Sequence, residues 1–156
     1  MDEYNLIIEQ EDASLLDQCL IRYVEDTGVR MALLMGRDGY LLAKYSERKD
    51  IGIESLCALS VGAFASSEAL ARMAGEGEFN SIFHQGVRAS VFISMVGDSH
   101  LLLTLFDYNA SAPLVRLQAK VVAESIIAIL ERAYMRTRAA RSETSTPGQI
   151  NPSSEQ

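Results

Sequence analysis

The residues of this chain that could do chemistry are few and scattered. The two histidines, His84 and His100, and the two cysteines, Cys19 and Cys57, form no CxxC or HExxH pattern. Spread over an expected helix, strand ends and a turn, they do not compose a zinc set. The GxxxxGK[ST] loop that cradles a nucleotide phosphate and the GxSxG elbow of a serine nucleophile are missing too. His84 stands before Gly86 at a strand exit, where turn or core hydrogen bonding is one role and a proton-linked switch the other. His100 opens an apolar strand after Gly97-Asp98-Ser99 and reads as a solvent-edge residue. Arg72 follows Glu68 at the (i, i+4) spacing of a helical ion pair. Its alternative role is that of an arginine offered to phosphoryl-transfer chemistry on another molecule. No catalytic residue, metal or cofactor is assigned.

The composition narrows what is bound. With 156 residues, 48% of them hydrophobic and 22% charged, the chain is expected to form one domain with its own core. A formal net charge of -7 argues against general nucleic-acid binding, because the long-range field repels phosphate. The acidic start "MDEY" and the absence of an uninterrupted apolar run approaching about 18 residues predict no signal peptide and no membrane insertion. The expected location is therefore the cytoplasm, with reduced cysteines.

Along the chain, Ser14 is placed as the N-cap of a first helix in which Leu16, Cys19, Leu20, Tyr23 and Thr27 recur at helical spacing. Gly28 supplies its left-handed stop. "VRMALLMG" and "YLLAKYS" flank Arg37-Asp38-Gly39, a hairpin signal. A second helix runs from about Ile53 to a pair of glycines. The segments "EFNSIFH", "RASVFISMV" and "HLLLTLFD" read as three further antiparallel strands. A last helix starts near Ser111, burying Val115, Ala119, Val122, Ile126 and Ile129 and exposing Arg116, Lys120, Glu124 and Glu131. Its basic end, "YMRTRAARS", suits either a helix C-terminus or an acidic partner. Five strands and three helices in this order predict an α+β sandwich with helices on both faces of an antiparallel sheet. The domain is expected over residues 1–138, with a disordered tail over 139–156.

The second helix, "SLCALSVGAFASSEALARM", holds the informative pattern. At 100° per residue, Leu56, Leu59, Ala63, Leu70 and Ala74 make an ordinary core face, while Ile53, Cys57, Val61, Phe64 and Ala71 make a second apolar face. Ala58, Gly62, Ala65 and Ala69 form a stripe of small residues between the core face and a charged strip of Glu54, Glu68 and Arg72. One sheet covers about one face of a helix, so two explanations stand. In one, small residues let the helix approach its own sheet closely. In the other, Val61 and Phe64 meet the same helix of a second copy and the stripe accepts a flat partner surface.

These residues, with the "FHQG" that follows and the later "LLLTLFDYNASAPLVRL", resemble the roadblock family, and within it the bacterial MglB proteins that regulate the Ras-like GTPase MglA. The resemblance covers roughly Leu6 to Met135. It implies a profilin-like or longin-like sheet in the order 2-1-5-4-3, with the middle helix on one face and the other two on the opposite face. It also implies a homodimer, joined by antiparallel middle helices and paired third strands, whose helix platform seats a small Ras-like GTPase of the MglA type. Ala58, Gly62, Ala65, Ala69 and Arg72 would then lie on the GTPase side, and Val61, Phe64, Glu68, Phe79 and Ile82 in the dimer interface. The implied activity is GTPase activation without an inserted arginine. The alternative is a non-catalytic scaffold that tethers a GTPase or other polarity, motility or signalling proteins.

Overall fold

A computed structural model describes residues 6–145. The chain runs α1 (Gln10–Thr27), β1 (Met31–Gly36), β2 (Leu41–Ser46), α2 (Ile53–Met73), β3 (Ser81–Gln85), β4 (Ser90–Val96), β5 (His100–Phe106) and α3 (Ala112–Thr144). The five strands form one sheet in the order β2-β1-β5-β4-β3, antiparallel at every pairing. Asp38 and Gly39 turn the β1–β2 hairpin as expected, with Gly39 at a φ of 87° that disfavours a side chain. Strands β1 and β5 lie side by side and are apolar on both sides because both of their faces are covered.

That double cover creates two cores. Ala32 and Leu34 of β1 join Leu16, Leu20 and Tyr23 of α1 and Val115, Ala119, Val122 and Ile126 of α3. Met31, Leu33 and Met35 point the other way, toward Cys57 and Phe64 of α2 and Ile93, Leu101 and Leu103 of the sheet. The expected core faces of α1 and α3 are buried as read, with Cys19 only half-buried.

Several expectations need correction. Helix α1 starts before Ser14, which lies within it. Glu9 is the N-cap, in a reciprocal capping box with Asp12, and the buried Asp12 carboxylate is also paired with Arg136 of α3. A tertiary partner thus selected a cap that spacing alone misplaced. Helix α3 continues to Thr144, past the boundary set at 138, and the rest of the expected tail lies outside the described residues. Helix α2 is long and apolar enough by composition to cross a membrane, contrary to the reading of the chain, because its alanines add to spaced Ile, Leu, Val and Phe residues to raise mean hydropathy without an unbroken run of large residues. It lies along the sheet as one layer of the fold.

Candidate functional site

Helix α2 is seated by a narrow row. Only Cys57, Ser60 and Phe64 are fully buried along it, one helical turn apart. Phe64, 1% exposed, lies against the Phe79 ring with centroids 5.0 Å apart. The Ser60 hydroxyl donates to the Leu56 carbonyl at 2.6 Å, so the polar atom in this row is satisfied within the helix.

This seat reverses the two faces expected for α2. Phe64 does not look away from the sheet: it is the main apolar anchor on it, and Val61 beside it is half-buried against the same core. Of the residues assigned to the core, Leu59 at 70% and Leu70 at 68% exposure instead face outward with Ala74 exposed beyond them, Ala63 is half-buried, and Leu56 alone packs against the α2 core. Met73, at 87%, extends the outward apolar face. The sequence held the signal for it. Leu59, Leu70 and Met73 are separated by eleven and three residues, spacings that share a helix face, but two apolar faces compete for one sheet and periodicity does not choose between them.

The small-residue stripe is also decided. Ala58, Gly62, Ala65 and Ala69 are all exposed, and a methyl group built on Gly62 would meet nothing within 4 Å. Close approach to the protomer's own sheet is therefore not what keeps these side chains small. The stripe lies between the outward leucines and the flank facing the β1–β2 turn, where Val61 reaches toward Gly39 and Glu68 is bonded by Arg37 at 2.9 Å. Arg72 lies at 3.5 Å from the same Glu68 carboxylate and is mostly exposed. The expected ion pair forms, and Arg37, which the sequence reading passed over, is the closer partner.

Beside α2 the sheet ends in β3, an edge with neighbours on one side only. Ile82 and Phe83 are half-buried there, and the strand Ser81–Gln85 contains no Asp, Glu, Lys or Arg. The opposite edge, β2, exposes Lys44 and faces a register irregularity between Leu34 and Met35, two devices that discourage strand addition. Phe79 and Ile82 thus sit where α2 meets the unguarded edge. An open cleft of about 660 Å³ at the foot of α2 is lined by Glu68, Arg72, Glu76, Glu78, Phe79 and Asn80.

His84 is exposed on β3, so of the turn and core hydrogen-bonding roles set out for it the core one does not hold. His100 is half-buried instead of lying at a solvent edge, and that burial pushes its imidazole below the usual histidine range, with the Asp38 carboxylate opposing. Burial pushes the thiols of Cys19 and Cys57 up, away from the reactive thiolate form.

Comparison with known proteins identifies the family and the fold. A family model for the Roadblock/LC7 domain matches residues 15–106. The gliding protein MglB of Thermus thermophilus is similar at 30% identity, with 84% of this chain and 99% of that chain covered and a TM-score of 0.77. MglB of Myxococcus xanthus is similar at 28% identity over 82% of this chain and 96% of that chain, with a TM-score of 0.75. Profilin II of Acanthamoeba castellanii, at 16% identity and a TM-score of 0.52 over 74% of this chain and 95% of that chain, shares the fold alone. Comparison with curated protein sequences finds no match.

Proposed function

The chain belongs to the Roadblock/LC7 domain family, and from that premise we propose that it is a homodimeric regulator that seats a small Ras-like GTPase of the MglA type on the outward face of α2. The observation that supports this reading is the face itself. Leu59, Leu70 and Met73 are more than two-thirds exposed, beside a stripe of exposed small residues and an edge strand without charge. A large contiguous apolar face on a protomer marks an interaction surface.

The two parts of the face suit two neighbours. Leu59 and Leu70, turned away from the hairpin flank, serve the antiparallel α2 of a second copy, while β3 pairs with the partner's β3 to extend the sheet. This moves the proposed seam from Phe64 and Val61 to the outward leucines and keeps Phe79 and Ile82 at its border. Ala58, Gly62, Ala65 and Ala69 offer a flat floor for the GTPase, and Arg72 extends from its margin. The protein acts as an activator that reorganises the GTPase's own catalytic groups and adds none of its own.

The test is single-turnover GTP hydrolysis by the cognate MglA-type GTPase with and without this protein, repeated with Ala65→Arg and Ala69→Arg. Arginine at either exposed position leaves thermal unfolding in place while lowering affinity for the GTP-bound partner by more than about thirtyfold, the scale of a central interface residue. Acceleration lost in both variants supports the activator reading. Binding without acceleration replaces it with the tethering scaffold, and unchanged affinity in both variants rejects the α2 platform.

A further inference from the structure

We infer that Arg37 is a latch that sets the position of the C-terminal half of α2 on the sheet, and hence a positioning residue for the surface that α2 presents. Its backbone is fixed from two directions. The amide of Arg37 donates to the Ser99 carbonyl at 3.0 Å, tying the β1–β2 turn to the β4–β5 turn, and the Gly36 amide donates to the Tyr40 carbonyl at 2.9 Å to close the hairpin beneath it. From this anchored turn the side chain crosses to α2, where the guanidinium lies 5.5 Å from the centre of the Phe64 ring and donates to Glu68 at 2.9 Å. One planar group thus holds both the main apolar anchor of the helix and a carboxylate one turn further on. A planar fork able to stack and to bond at its edge makes this possible, and an ammonium does not reproduce it.

The latch matters because α2 has little else to fix its rotation and slide. Its fully buried row stops at Phe64, so residues 65–73 extend beyond the last deep contact. Among the described residues, Arg37–Glu68 is the one ion pair that joins α2 to another element. Glu68 is shared with Arg72, so the latch also decides whether that carboxylate is held toward the hairpin or released to the exposed arginine. Ala65, Ala69 and Leu70 are presented by this same half of the helix. The consequence for partner binding rests on the reading of α2 as a docking surface, whereas the latch itself does not.

Native-state hydrogen exchange of the full chain, with no partner added, separates the two. In Arg37→Ala, amides of residues 65–73 should exchange about three- to tenfold faster, the combined scale of a half-exposed ion pair and a cation–π contact. Amides of α1, α3 and β5 should keep their rates. Arg37→Lys, which preserves charge but not the fork, should behave nearly as Arg37→Ala, and Glu68→Gln should fall between them and the parent. Exchange unchanged over residues 65–73, or accelerated evenly across the domain, overturns the inference, as does full protection in Arg37→Lys. In the GTP-bound MglA-type titration, Arg37→Ala should weaken affinity several-fold with the dimer intact. Unchanged affinity there, while Ala65→Arg abolishes binding, removes the positioning role. The failure of Ala65→Arg itself condemns the platform and leaves the exchange result to judge the latch.

Discussion

One face of the sheet is covered by two helices and the other by one, and they cover it differently. Helix α3 buries Val115, Ala119, Val122, Ile126, Ile129, Leu130 and Ala133 over most of its length, and α1 adds Leu16, Leu20, Tyr23 and Val24. Polar detail locks this side. Tyr23 and Thr104 share a buried hydrogen bond of 2.9 Å, and Arg136 of α3 is paired with the buried Asp12 of α1. Helix α2 has a comparable span but commits only three side chains fully, and it turns large apolar residues to solvent. The first face is packed along most of the length of its helices, although Leu117, Val121 and Met135 of α3 remain exposed on the side away from the sheet. The second is left open, so apolar content in a helix states how much surface must be covered without stating by what.

Four substitutions test this contrast. The largest effect is expected from Phe64→Ala, which removes the anchor of α2 and leaves a cavity costing about 3–5 kcal/mol. Denaturant titration would show the loss as unfolding, and a well-folded variant with altered association would restore Phe64 to an interface. Next is Leu70→Glu, and in parallel Leu59→Glu. At exposed positions each should change protomer stability by about 0.5 kcal/mol or less, while weakening self-association by about 2 kcal/mol through an unpaired charge in the seam. Sedimentation at falling concentration measures this, and undiminished dimer in both variants places the seam elsewhere.

The smallest effect belongs to the more deeply packed face. Burial pushes the Tyr23 hydroxyl up to about 12 although the Thr104 hydrogen bond opposes the shift. Because the folded value lies above the unfolded one, near 10, the stability linked to this group is intact below about pH 10 and is lost as pH rises toward 12. Tyr23→Phe should cost about 1 kcal/mol at neutral pH, with Thr104 losing its partner. Its stability should then fall less steeply between about pH 10 and 12, and an alkaline slope equal to that of the parent in chemical denaturation would show that Tyr23 is not the group responsible.

Much of the architecture was legible because its signals are local. Asp38-Gly39 fixes a hairpin through the backbone freedom of glycine, and Gly28 ends α1 in the same way, at a φ of 76°. The core face of α3 follows from the long apolar row Val115, Ala119, Val122, Ile126 and Ile129, which lies away from Arg116, Lys120, Glu124 and Glu131 and is the row the fold buries, while the shorter apolar row of Leu117, Val121 and Met135 stays exposed. The sequence alone also singled out α2 as the unusual element, since Ala58, Gly62, Ala65 and Ala69 share one side whatever the helix packs against. What it left undetermined was the rotation of α2. Both Phe64 and Leu59 lie on acceptable core faces by periodicity, and the choice came from groups distant in sequence: the Phe79 ring after the helix and the Arg37 guanidinium before it. Periodicity reports which residues share a side of a helix, while the side that meets the sheet is set by shape and charge on other elements, which only the folded chain brings together.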